Sequence, residues 1–172
     1  DAFACGDAFL PELVMAGEAM KAAIAVLEPA MKASGVSREI LGKVVIATVE
    51  GDIHEIGKSL VGTMLTSSGF EVYDLGVDVS TDDLLAKAEE VGADIIGLSA
   101  LLTTTMSKQK EVIDEVAKRG MKVMVMVGGA PVTKEWVQRI EADGYSEDAI
   151  GAVSVAKELM GIFSLNDKAE EN

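Results

Sequence analysis

KVVIATVEGDIHEIGKSL, Lys43 to Leu60, is the stretch that decides the fold. Lys43 to Val49 is an almost unbroken apolar run rich in Val and Ile, without the polar alternation of a strand that has one wet face. Such a run predicts a strand covered on both sides, as in a parallel sheet. The polar segment EGDIHEIG follows, and from Gly57 the pattern becomes helical, so His54, the single histidine of the chain, falls on the turn between strand and helix. The same grammar repeats outward. EVYDLG (71–76), DIIGLSA (94–100) and MKVMVMVGG (121–129) read as further buried strands, and the segments 57–69, 81–92, 104–120 and 133–143 are long enough for crossover helices. A last helix is expected over 146–161, with Ser146 at its N-cap and Asp148 in its first turn. Repeated β-α units with about five strands predict an α/β fold, a Rossmann-like (flavodoxin-like) doubly wound parallel sheet. In such a sheet the loops that follow the strands share the rim where ligands bind. EGDIHEIG, SALLTTT and GGAPVT should therefore lie together.

Ahead of the sheet, two helices are expected at about Leu10–Ala19 and Met20–Met31, with Leu13, Val14, Met20, Ile24 and Leu27 at helical spacing. The segment ASGVSRE then has the composition of a linker and places a boundary near Gly35. The expected organisation is a helical cap over 1–35, the sheet domain over 36–165 and a polar tail over 166–172. The chain starts at Asp1 and enters an amphipathic pattern midway, which is expected of a piece of a longer polypeptide and of an incomplete helical bundle.

A formal net charge of −14 and a pI near 4.4 argue against nucleic acid or an anionic membrane as partner, since both require clustered Lys and Arg. No apolar run reaches the roughly 18 residues of a membrane span. Cys5, the only cysteine, excludes an internal disulfide and a multi-cysteine metal site within these 172 residues, which fits a reducing cytoplasm.

His54 and Asp52 invite a metal reading, because a ligating imidazole usually donates its second ring N–H to a carboxylate. The pair alone also suits a histidine hydrogen-bonded at a surface or in a core. Conventional zinc chemistry needs more protein ligands than one histidine supplies. A metal held by one side chain must bring its own equatorial ligands, as in a tetrapyrrole-like ring with one axial protein nitrogen. Gly57, Gly128 and Gly129 would let such a group pass close to the backbone, although each alone is equally an ordinary turn glycine. Two other chemistries fail. Counting from Gly51, Gly57 stands seventh, one past the position that a phosphate-binding P-loop requires, and Ser99 is not on a nucleophile elbow.

Asp52-x-His54-x-x-Gly57, then Ser99-x-Leu101, then Gly128-Gly129 resemble the three-part motif of base-off, histidine-on cobalamin-binding domains. Forty-one residues separate Gly57 from Ser99 and twenty-six separate Leu101 from Gly128, as in that family. Residues 9–31, FLPELVMAGEAMKAAIAVLEPAM, resemble the last two helices of the helical module in corrinoid proteins of methyltransferase systems. The resemblance implies cobalamin as cofactor and His54 as lower axial ligand of cobalt, with Asp52 as the partner of the imidazole and Ile53 and Glu55 beside it. Glu55 departs from the aspartate that many members carry. It implies a slot for the displaced nucleotide tail, lined by Ser59, Ser99, Leu101, Thr103, Gly128 and Gly129, with Tyr145 and Ala149 in the same pocket and Phe9 and Met15 in the cap over the reactive face. It implies a methyl carrier serving a donor methyltransferase and an acceptor methyltransferase with a tetrahydrofolate or thiol acceptor, maintained by a reductive activator. Other readings from the same motifs are the cobalamin subunit of a carbon-skeleton mutase and a cobalamin-dependent regulator or light sensor. A flavodoxin-like domain without a cofactor is the remaining alternative.

Overall fold

Val44 and Ile46 on one side of the first strand, and Val45 and Ala47 on the other, are all withdrawn from solvent. A strand buried on both faces needs a layer of helices above and below it, and the computed structural model, which describes residues 9–33 and 40–162, has that form. After a leading helix α1 (Leu10–Ala33), the elements run β1 (Lys43–Thr48), α2 (Ile56–Ser67), β2 (Glu71–Asp74), α3 (Thr81–Val91), β3 (Ile95–Ser99), α4 (Met106–Arg119), β4 (Met124–Gly128), α5 (Lys134–Ile140), β5 (Gly144–Tyr145) and α6 (Ala149–Leu159). The five strands are parallel throughout and ordered β2-β1-β3-β4-β5. The direction of winding reverses between β1 and β3, so the switch point lies at the carboxyl ends of the strands that carry the His54 and Ser99 loops.

Two cores result. Val45, Ala47, Ile96, Leu98, Val125 and Val127 pack with α3, α4 and α5 on one face. Val44, Ile46, Ile95 and Met126 pack with Leu65 of α2 and with Ala152, Val153 and Ala156 of α6 on the other. Small residues of α6 and the glycines Gly62 and Gly97 keep this second layer thin: a Cβ on Gly62 would come within 2.7 Å of Ile46 Cδ1 and one on Gly97 within 3.1 Å of Ile46 Cγ2. That thinness leaves room for the slot described below.

Helix ends follow side-chain chemistry. Ser80 caps α3 by accepting from the Asp83 N–H at 3.2 Å, and Thr133 caps α5 by accepting from the Trp136 N–H at 3.3 Å. The last helix differs from the sequence expectation: its N-cap is Asp148, whose carboxylate accepts from the Gly151 N–H at 2.7 Å, while the Ser146 hydroxyl donates to the Asp148 carbonyl at 2.7 Å. A carboxylate is a stronger acceptor than a hydroxyl and complements the positive helix end, so it takes the cap. β5 is only Gly144–Tyr145 and leaves no apolar run to read. Tyr145 therefore ends a strand, just ahead of the last helix.

The two expected N-terminal helices are one. α1 runs for 24 residues through the Ala19–Met20 junction, where no helix-breaking residue stands. Glu12 stabilises its start by accepting from the Phe9 N–H at 2.7 Å. α1 packs on α2 at Gly17, which is buried and where a Cβ would fall 2.0 Å from Thr63 Cγ2. The expected boundary near Gly35 and the tail 166–172 lie outside the described residues.

Candidate functional site

The loop after β1 is bent by Gly51, whose φ of +81° is a left-handed conformation, and is held by bonds from both sides. The Asp52 N–H donates to the Val49 carbonyl at 3.1 Å, Thr48 Oγ1 donates to the His54 carbonyl at 2.9 Å, and the Gly51 N–H donates to Asp78 at 2.7 Å. These contacts turn the Asp52 carboxylate inward, where its side chain is wholly buried, and leave the His54 side chain 46% exposed at the rim.

Asp52 binds the β1 and β3 loops into one unit. Its Oδ1 accepts from the His54 N–H at 3.1 Å and lies 2.7 Å from His54 Nδ1. Its Oδ2 accepts from the N–H groups of Leu101 at 2.8 Å and Leu102 at 3.2 Å and from Thr105 Oγ1 at 2.8 Å. Burial alone would raise the carboxyl, but the bonds from His54, Leu101 and Thr105 favour the charged form more strongly and hold it well below the usual carboxylate range. A carboxylate so held accepts a hydrogen bond from Nδ1–H, which fixes the tautomer and leaves Nε2 with its lone pair available.

Beside His54 a cavity of about 740 Å³ opens at the rim and descends between α2 and α6 to a floor of Ile46, Gly97 and Met126. Of the residues singled out from sequence, Ile53, His54, Glu55, Gly57, Ser99, Leu101, Gly128, Gly129 and Ala149 line it. Asp52 stands behind His54 and does not line the cavity. Ser59 lies on α2 and Thr103 on the exposed β3 loop, and neither is in the lining. Tyr145 faces an adjacent cavity of about 520 Å³ and donates its hydroxyl to the Val132 carbonyl at 3.0 Å. Phe9 and Met15, each 72% exposed, lie on or just before α1 and outside the lining.

The glycines at the rim differ in kind. At Gly129, with φ +130°, a Cβ would fall 1.8 Å from the Ala100 carbonyl oxygen, so this glycine lets the β4 loop lie against the end of β3. At Gly57 a Cβ would meet nothing within 4 Å. Its missing side chain serves the cavity and not the packing.

Three contributors escaped sequence reasoning. Thr105 supplies a hydroxyl to Asp52, and only the length of the β3 loop, with its run of three threonines, pointed to it. Lys58 lines the cavity with its side chain 3% exposed and pairs closely with Asp74 at the end of β2. Gln109, fully buried on α4, bonds the ends of β3 and β4 and carries no motif at all.

Residues 42–154 match the family model of the B12 binding domain. The chain belongs to that family. Its relatives include corrinoid proteins. Dimethylamine corrinoid protein 1 of Methanosarcina mazei is 52% identical over 160 residues, covering 92% of this chain and 74% of the relative. A corrinoid protein of Desulfitobacterium hafniense is 49% identical over 159 residues, covering 91% of this chain and 74% of the relative. Among solved structures, the methanol:cobalamin methyltransferase complex from Methanosarcina barkeri superimposes with a TM-score of 0.84 at 31% identity, over 99% of this chain and 67% of that one. The sheet architecture and the cobalamin cofactor expected from the sequence are those of this B12-binding family.

The B12-binding site fits its cofactor on its own chemistry. His54 is held by Asp52 through one ring nitrogen and its side chain stands 46% exposed at the mouth, where the other nitrogen would be accessible to a metal that brings its own ring. The mouth carries solvent-exposed Ile53 (74%), Ile56 (76%), Leu101 (40%) and Ile150 (38%), a cluster that a broad, flat, largely apolar ligand would cover. Below it the slot, part of the cavity of about 740 Å³, is free of side chains at Gly57, Gly97 and Gly128 and has room for an appendage. Among the described residues no helix is long and apolar enough to cross a membrane, and no cluster of three or more His, Cys, Asp or Glu side chains competes as a metal site.

Proposed function

We propose that this chain carries a methyl group between a donor methyltransferase and an acceptor methyltransferase, on a corrinoid whose cobalt is held from below by His54 Nε2. The observation that supports the ligand assignment is the Asp52–His54 bond of 2.7 Å at the mouth of the slot. The corrinoid, when bound, supplies a nucleophilic metal centre that accepts and releases a methyl group. The protein supplies position and electronics. Asp52 keeps Nδ1 protonated and the ring plane fixed, and the Leu101 and Leu102 N–H groups with Thr105 keep Asp52 charged. Gly57, Ser99 and Gly128 line the slot for the nucleotide tail, and the apolar rim excludes water from beneath the ring.

In this reading residues 36–165 form the cofactor domain, and α1 with Phe9 and Met15 belongs to the cap. The relatives named for dimethylamine, near 50% identity, make a methylamine the first donor class to test. The acceptor enzyme uses a thiol or a tetrahydrofolate, a reductive activator restores oxidised cobalt, and all work in a reducing cytoplasm. The test is reconstitution with hydroxocobalamin, removal of free cofactor, anoxic reduction of the cobalt to its monovalent state with titanium(III) citrate, and incubation with a dimethylamine methyltransferase and labelled dimethylamine. Label retained by the wild type and lost in His54→Ala supports the reading. A protein that retains reduced corrinoid but acquires label from neither the dimethylamine methyltransferase nor a methanol methyltransferase with labelled methanol would remove the carrier role.

A further inference from the structure

We propose that Gln109 is a positioning residue that sets the width of the slot at the ends of β3 and β4, and so selects for a corrinoid that carries a nucleotide tail. The inference rests on the corrinoid reading above. Gln109 occupies an unexpected place. On α4, Met106, Val112 and Val116 form the buried apolar face, and Gln109 stands on that face, three residues from Met106 and three from Val112, with no solvent exposure. A buried amide is unfavourable unless its polar atoms are bonded. Here all its functions are used: Nε2 donates to the Leu98 carbonyl at 3.3 Å and the Gly128 carbonyl at 3.1 Å, and Oε1 accepts from Trp136 Nε1 at 3.0 Å.

The two carbonyls belong to neighbouring strands, and both residues line the slot. The Gly128 carbonyl also accepts from the Ala100 N–H at 3.2 Å, one step beyond the paired Ser99 and Gly128. Gln109 therefore fastens the last rung of the ladder from the opposite side of the sheet, while Ser99 and Gly128 meet the slot. Through Trp136 the same side chain holds α5, whose first turn is fixed by Thr133. The Gly129–Thr133 loop is thus anchored at both ends: at Gly129 by its close approach to Ala100, and at Thr133 by the Trp136–Gln109 bond. A flat ring seated on the rim needs little of this, but a tail threaded between α2 and α6 past Ser99 and Gly128 needs the separation fixed.

The experiment compares binding of cobalamin with binding of cobinamide, the same ring without the nucleotide, in the wild type and in Gln109→Leu, Gln109→Glu and Trp136→Phe. Gln109→Leu releases the β3 and β4 ends and should weaken cobalamin about tenfold and cobinamide by less than about twofold. Gln109→Glu removes the donors to both carbonyls and should give the same selectivity. Trp136→Phe frees one end of the clamp and should show it to a smaller degree, which keeps the test open if a Gln109 variant fails to fold. Equal weakening of both ligands, or no weakening of either, would overturn the positioning role. A wild type that binds neither ligand removes the corrinoid reading itself, a result distinct from wild-type binding of both without selectivity in the variants.

Discussion

Asp52 and His54 are joined twice through one oxygen: Asp52 Oδ1 accepts the His54 backbone N–H at 3.1 Å and lies 2.7 Å from the same residue's Nδ1. The backbone bond sets where the histidine begins and the side-chain bond sets which way its ring faces. The other carboxylate oxygen is bound entirely by the β3 loop, so the orientation of the imidazole depends on residues about 50 positions away in sequence.

Thr105 is the most direct test of that dependence. Thr105→Val preserves shape but removes the hydroxyl donor to Asp52, and it should cost about 2 kcal/mol, as expected for a hydrogen bond to a buried charge. Thr105→Ser should recover most of the loss. Urea denaturation of the cofactor-free protein measures both.

Acid should unfold the cofactor-free protein partly through Asp52. Its carboxyl is held below the ordinary 3.8 when folded, so between these values the unfolded chain binds more protons than the native one. The stabilisation is full above the ordinary value and is lost as pH falls through the window beneath it. Asp52→Asn should be less stable at neutral pH and should lose less further stability on acidification, a difference visible in denaturation midpoints measured from neutral pH downward. Parallel midpoint curves for the two proteins would count against it.

Gly57 and Gly129 should respond oppositely to alanine. Gly129→Ala places a Cβ against the Ala100 carbonyl at a left-handed φ and should destabilise the fold by about 3 kcal/mol or more. Gly57→Ala adds a methyl group to open space inside α2 and should leave stability unchanged or raise it by up to about 1 kcal/mol, while weakening corrinoid binding. Thermal unfolding and cofactor titration on the two variants separate the two uses of glycine.

The Lys58–Asp74 pair should be asymmetric. Lys58 is buried and Asp74 is 38% exposed, so Lys58→Met leaves a carboxylate that water can reach and should cost about 1 kcal/mol or less. Asp74→Ala strands a buried ammonium and should cost about 2 kcal/mol or more. Chemical denaturation of the two single variants decides it.

The strands of the sheet were legible because a doubly covered strand leaves a continuous apolar signal, and β1, β3 and β4 all have one. β5 was not, because two residues hydrogen-bonded at an edge carry no pattern. Reading α1 as two helices had no breaker behind it: Leu13, Met20 and Leu27 keep one seven-residue spacing across Ala19–Met20, where neither glycine nor proline stands. At the site, Asp52, His54, Gly57 and Gly129 announced themselves because each residue type is constrained by local chemistry. Thr105 and Gln109 act across the fold, on atoms that only the strand order β1-β3-β4 brings within reach, and neither belongs to a motif.

The proposed bond from His54 Nε2 to cobalt is directly measurable, because the chain holds a single histidine. Electron paramagnetic resonance of the holoprotein with cobalt in its divalent state, prepared once unlabelled and once with nitrogen-15 confined to histidine, reads the axial nitrogen through its nuclear spin. The three-line hyperfine splitting from nitrogen-14 should become a two-line splitting in the labelled protein. A three-line pattern that persists after labelling, or an axial signal with no nitrogen splitting in either sample, would contradict the assignment of His54.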